Sequence, residues 1–215
     1  MTQWVSGLSC VVDTCALRHW KNIELKDIPL EKWIEREFNV HTSETIVDEI
    51  ANQEHFWGPG AKQAKKKVKQ WARKLTNPEH IENALLSDFV TEGLINTVEG
   101  AGERRNFCVA VDLVRKNKYG YVIFLTDDER AIDGFLKQAF SAFGVACIWN
   151  SLDLILYLYV RHHRSIPLSI AKDVVRDLIS NFTKDAASSR KLQIKLTDYH
   201  VRLDRVSSAL GKLSD

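Results

Sequence analysis

The chain has 215 residues, 45% of them hydrophobic and 27% charged, with a formal net charge of +2. That length and composition are those of an ordinary globular protein with a full hydrophobic core, and the charge excludes a nucleic-acid binder that relies on bulk charge, leaving any basic surface to local clustering. Cys10, Cys15, Cys108 and Cys147 lack CxxC spacing, which argues against a zinc knuckle or a disulfide framework and fits a reducing compartment.

In chain order, residues 8–12 (LSCVV) form a short, continuous apolar run, the pattern of a parallel strand covered on both faces. It ends on Asp13, then Thr14 and Cys15, where a helix can begin. A small strand at residues 39–41 leads to "ETIVDEIANQ", a helix with Ser43 as its N-cap and Ile46, Val47 and Ile50 on one face. Ahead of the next helix, "EHFWGPG" places Phe56 and Trp57 in a loop, where they serve either to plug the core or to stack unpaired bases.

Residues 61–75, "AKQAKKKVKQWARKL", predict a helix with seven basic residues and no acid: Lys62, Lys65, Lys66, Lys67, Lys69, Arg73 and Lys74. Ala64, Val68, Trp71 and Leu75 make its apolar seam. Such a block is either a solvated face or a surface for a phosphate backbone, which it would position without reading sequence.

"EGAGERRNFCVAVDLVRKNKYG" predicts a helix with Phe107, Val111 and Val114 inward, stopping near Gly120. "YVIFL" is a second buried strand, followed by Thr126, Asp127 and Asp128. "DERAIDGFLKQAFSAFG" then carries Ile132, Phe135, Leu136 and Phe140 on a stripe and closes on Gly144, before a strand at residues 145–148. Strands alternating with helices predict an α/β fold on a parallel sheet, with the working site outside the C-terminal strand ends.

The last segment differs. Leu192, Leu196, Tyr199, Leu203, Val206, Leu210 and Leu213 are spaced alternately by four and three, a heptad seam after the polar link "DAASSR". This helix either packs back on its own chain or pairs with a partner. The expected division is residues 1–183 as the main domain and 184–215 as a helical extension. The longest apolar run, residues 152–160, is about half of a membrane crossing, and no leader pattern opens the chain, so a soluble cytoplasmic protein with no membrane partner is expected.

Four acids fall where such a sheet works: Asp13 after the first strand, Glu49 in the helix after the second, Glu103 opening the central helix, and Asp128, beside Asp127, after "YVIFL". Singly, each has an ordinary role as a helix cap, a solvated residue or a complement to a helix dipole. Together they would raise one another's pKa, a conflict that a hard divalent cation such as Mg²⁺ or Mn²⁺ resolves through oxygen ligands.

"VVDTCAL", "SETIVDEI", "GAGERRNFCVAV" and "FLTDDERA" resemble, in order, the four acidic motifs of the PIN-domain nucleases, and "SLDLILYLYVRHHRSIPLSIAKDVVRDLISNF" resembles their closing helices. The resemblance covers roughly residues 7–182. It implies a three-layer α/β/α domain and Mg²⁺- or Mn²⁺-dependent endonucleolytic hydrolysis of RNA, leaving a 5′-phosphate and a 3′-hydroxyl. Asp13, Glu49, Glu103 and Asp128 fall on the metal-ligand and catalytic positions, Asp128 being the match in a T-x-D pattern with Asp127 alongside.

The resemblance also implies that Thr14 holds the Asp13 carboxylate. Where the commoner third motif has a second acid, Arg104, Arg105 and Asn106 follow Glu103, so one ion or two remain open. Lys65, Lys66, Lys69, Arg73, Arg104 and Arg105 are the expected phosphate contacts. Small members act as toxins, so an antitoxin-like partner or a second copy on the heptad helix is a further expectation.

The rival chemistries fit less well. No GxSxG or GxxxxGK[ST] motif occurs, a haloacid-dehalogenase-type site would need an Asp where Cys15 stands, and a receiver domain would carry its acceptor on a middle strand. The alternative outside enzymology is a catalytically silent PIN-like module that binds RNA or serves assembly.

Overall fold

A computed structural model describes residues 8–52, 61–93, 101–116, 121–129, 132, 137–139, 144, 146–182 and 189–213. Phe56, Trp57, Gly120, most of the 128–144 stripe and most of the "DAASSR" link lie outside these residues.

The apolar runs form strands: β1 (Ser9–Val12), β2 (Asn39–Ser43), β3 (Ala72–Arg73), β4 (Val122–Leu125) and β5 (Ala146–Trp149). They make one parallel sheet in the order β3-β2-β1-β4-β5. Every residue of β1 and β4 is buried, which is why these two runs are continuous rather than alternating. The register pairs Val11 with both His41 and Phe124, and Val12 with Leu125. From β1 the chain builds outward on one side through β2 and β3, then returns to build β4 and β5 on the other. β1 and β4 therefore flank the point where strand order reverses, the place where open α/β sheets bind their ligands.

The helices are α1 (Thr14–His19), α2 (Leu30–Glu37), α3 (Glu44–Asn52), α4 (Ala61–Trp71), α5 (Pro78–Thr91), α6 (Ala101–Lys116), α7 (Ser151–His162), α8 (Leu168–Phe182) and α9 (Ser189–Lys212). The chain divides into two compact units, residues 1–18 with 34–148, and residues 19–33 with 149–215.

In the first unit, one core joins Val11, Val122 and Phe124 of the sheet to Leu86 of α5 and Phe107, Ala110 and Leu113 of α6. The basic helix α4 buries Val68 and Trp71 of its seam, with Leu75 just beyond it. It stops at Trp71 rather than at residue 75, because Ala72 and Arg73 pair with Thr42 and Ser43 as β3. α5 was not foreseen, although Asn77 at φ 51° followed by Pro78 marks its start. Gly144 takes a left-handed φ of 60°.

In the second unit, Asn150 caps α7 by accepting from Leu152 N and Asp153 N, while Asp153 reaches back to Asn150 N. Tyr199 of α9 donates to Asp153 Oδ1 at 2.6 Å, tying the last helix to this cap. Leu192, Tyr199 and Leu203 of the heptad seam are buried, and α9 packs against α7 and α8 of its own chain. Leu196, Val206 and Leu210 are half-buried, and Leu213 is 82% exposed. A two-residue turn at Lys26 and Asp27, both with positive φ, brings Leu25 and Ile28 into a reciprocal backbone pair ahead of α2. No helix among the described residues is long and apolar enough to cross a membrane.

This packing makes the tail's contribution measurable. Leu203→Ala should destabilise the protein by about 2–5 kcal/mol, whereas Leu213→Ala should change stability by less than about 0.5 kcal/mol. Urea unfolding of the two variants reads the difference; equal effects would show that the seam does not pack within the chain.

Candidate functional site

Parallel strands end on the same edge, so the residues after β1, β2 and β4 converge without any help from the loops. Asp13 follows β1, and its backbone N donates to Leu125 O at 2.9 Å, carrying the ladder one residue past the strand. Its carbonyl accepts from Leu17 N and so opens α1. The Asp13 carboxylate also takes the backbone N–H of Thr14, at the start of α1, besides its side-chain partners. That carboxylate is buried, with Asp13 only 2% exposed.

Thr126, just past β4, donates its hydroxyl to Asp13 Oδ2 at 2.9 Å, and Thr126 Oγ1 in turn accepts from Asp128 N at 3.2 Å. One threonine therefore ties the residue after β1 to the segment after β4. Asn106 of α6 joins β1 and β2: its Oδ1 accepts from Ser43 N at 2.8 Å and lies 3.3 Å from Thr42 Oγ1, and its Nδ2 lies 3.5 Å from both Val12 O and Asp13 Oδ1. Thr42 Oγ1 also donates to Val12 O. Thr42, Asn106 and Thr126 were not among the expected site residues. For Asn106 the signal was its place three residues after Glu103, on the same face of the helix.

Two local expectations change. The Thr14 hydroxyl donates to Glu49 Oε2 at 2.5 Å and not to Asp13, whose Oδ2 already takes the Thr126 proton. Ser43 stands where an N-cap belongs, but its buried hydroxyl has no hydrogen-bond partner among the described residues, and Asn106 satisfies its backbone N–H instead.

The electrostatics follow from this burial. Desolvation, with the charges of Glu103 and Glu49, pushes the Asp13 carboxyl up to about 7. Glu49 is raised by burial and by Glu103, against the lowering effect of Thr14. Glu103 is raised by burial and by Asp128. Cys15 is raised by burial and by Asp13 and Asp128, which keeps it a neutral thiol. Glu103 thus lies within the fields of Asp13, Glu49 and Asp128, and Asp13 within that of Glu49.

Among the described residues, no three carboxylate, imidazole or thiol groups stand close enough to form a finished ligand shell. The donor set itself, carboxylate oxygens around a buried Asp, has the chemistry that a hard divalent cation takes.

The expected phosphate contacts separate into two groups. Arg73 is paired with Asp112 at 3.0 Å, and Arg104 and Arg105 both grip Glu82, at 2.7 and 2.8 Å. On α4, Lys67 is held by Glu35 at 2.7 Å, while Lys62, Lys66 and Lys69 are exposed and Lys65 is half-buried.

A carboxylate whose folded pKa is raised binds a proton that the unfolded chain has released, so it lowers stability as pH climbs between the two values. For Asp13 that window runs from about 4 to about 7. Without a cation, the protein should lose on the order of 4 kcal/mol of stability across it through this group. Asp13→Asn should remove that part of the slope; urea unfolding in EDTA from pH 4 to 8 tests it, and parallel curves for the two proteins would refute it. Asn106→Ala, which strands the buried Ser43 N–H, should cost about 1–3 kcal/mol in the same assay.

Comparison with protein-family models, curated proteins and solved structures returns no match.

Proposed function

We propose that the chain is a Mg²⁺- or Mn²⁺-dependent endoribonuclease of the PIN-like kind, acting at the C-terminal edge of its parallel sheet. The observation that carries this reading is Asp13. Its carboxylate is buried at the strand-order reversal, within the fields of Glu49 and Glu103, and has no ion pair with a basic side chain among the described residues. Burying unpaired negative charge costs several kcal/mol and is retained where a ligand compensates it.

Asp13, Glu49, Glu103 and Asp128 would hold the cation, with Asp127 alongside. A bound ion would supply a water of lowered pKa and neutralise charge on the scissile phosphate. The chain's own groups set the geometry: Thr126 and Asn106 orient Asp13, and Thr14 holds Glu49. The exposed lysines of α4 suit the ribose-phosphate backbone and would position RNA without selecting a sequence. Arg73, Arg104 and Arg105 are engaged by carboxylates, so the lysines carry more of this role than the arginines.

Purified protein incubated with mixed RNA should cleave it with Mn²⁺ and not with EDTA. Asp13→Asn and Asp128→Asn should each lower the rate by more than the ~10–100-fold typical of losing an outer partner of a metal ligand. Cleavage that survives EDTA or both substitutions sinks the proposal. RNA binding that ignores Mn²⁺, with no cleavage, would instead identify a silent binding or assembly module.

A further inference from the structure

Gly102 is the second residue of α6 and is buried. Its neighbour across the site is the Glu49 carboxylate of α3. A methyl group built on Gly102 would overlap Glu49 Oε1 and lie 2.9 Å from Cδ and 3.2 Å from Oε2. Glycine costs stability at a helical position, and here no positive φ calls for it. The missing side chain is therefore the space that Glu49 fills.

Glu49 is held in that space from the other side by the Thr14 hydroxyl. It thereby sits beside the first turn of α6, the end at which a helix dipole favours negative charge, and within the field of Glu103 one residue along. Any side chain at position 102 would push the carboxylate back toward α3. Because the obstructing atoms are the far end of a flexible side chain, the helix would survive and the carboxylate would move.

We infer that Gly102 is a positioning residue for Glu49, its absent side chain being what lets the carboxylate reach the first turn of α6. The consequence for cation binding rests on the reading of Glu49 as a ligand; the seating itself does not.

The test therefore has two arms. In EDTA, Gly102→Ala in a Glu49→Ala background should raise the thermal midpoint by about 2–4 °C, the ordinary gain of alanine over glycine in a helix for a protein of this size. With Glu49 present, the same substitution should give no gain or a loss. Gly211→Ala, at a helical glycine with open space around it, should act alike in both backgrounds. An equal shift from Gly102→Ala in the two backgrounds would overturn the inference.

In the second arm, Mn²⁺ titrated calorimetrically into the protein should bind Gly102→Ala about 10–100-fold more weakly than wild type. Unchanged affinity beside a wild type that binds would overturn the consequence for cation binding, the seating being decided by the first arm. If wild type bound no Mn²⁺ while the coupling to Glu49 persisted, the seating would stand and the cation reading of the site would fall.

Discussion

The structure around the sheet edge depends on one constraint: a carboxylate, Asp13, taken almost wholly out of water at the point where strand order reverses. Removing that charge from solvent is unfavourable, and nearby acids make it more so. Thr126, at the end of β4, and Asn106 each bring a polar hydrogen to a different oxygen of the group, and Asn106 also bonds Ser43 at the end of β2. The groups that make the buried acid tolerable are thus the groups that hold the ends of β1, β2 and β4 together.

α6 is the element that links this edge to the core. Phe107, Ala110 and Leu113 anchor it under the sheet, which fixes its height and rotation. Its first turns are then committed: Gly102 opens room for Glu49, Glu103 adds charge to the cluster, and Asn106 braces two strands. The pair that follows Glu103, Arg104 and Arg105, turns to Glu82 of α5. A helix so placed can hold acids close together because its apolar face is secured elsewhere. The stability of this cluster of acids accordingly comes from the core behind it.

Much of the architecture was legible in the sequence. β1 and β4 stood out as continuous apolar runs because both faces are covered, and the acids that follow them were visible as a break in that pattern. The seam of α4 was readable for the same reason, since Val68 and Trp71 repeat at helical spacing. β3 was not, because two residues have no periodicity and only their pairing with Thr42 and Ser43 makes them a strand. α2 carried a signal, Leu30, Trp33 and Ile34 on one face, but it is short and follows a turn built from non-glycine residues with positive φ. In the site, the Thr14 hydroxyl was assigned to the nearest carboxylate in sequence, whereas geometry sends it to one 35 residues away.

The sequence by itself determined the alternation of strands and helices, the parallel sheet that follows from it, and the presence of acids just past the strands. Those features rest on local periodicity and on the chemistry of each residue. Only the tertiary structure decided which hydroxyl holds which carboxylate, which arginines are already engaged, and why position 102 is glycine. These outcomes depend on contacts across 63 residues from Ser43 to Asn106 and 113 from Asp13 to Thr126. Such contacts leave no period in the chain, because they are set when packed elements bring distant side chains within hydrogen-bonding distance.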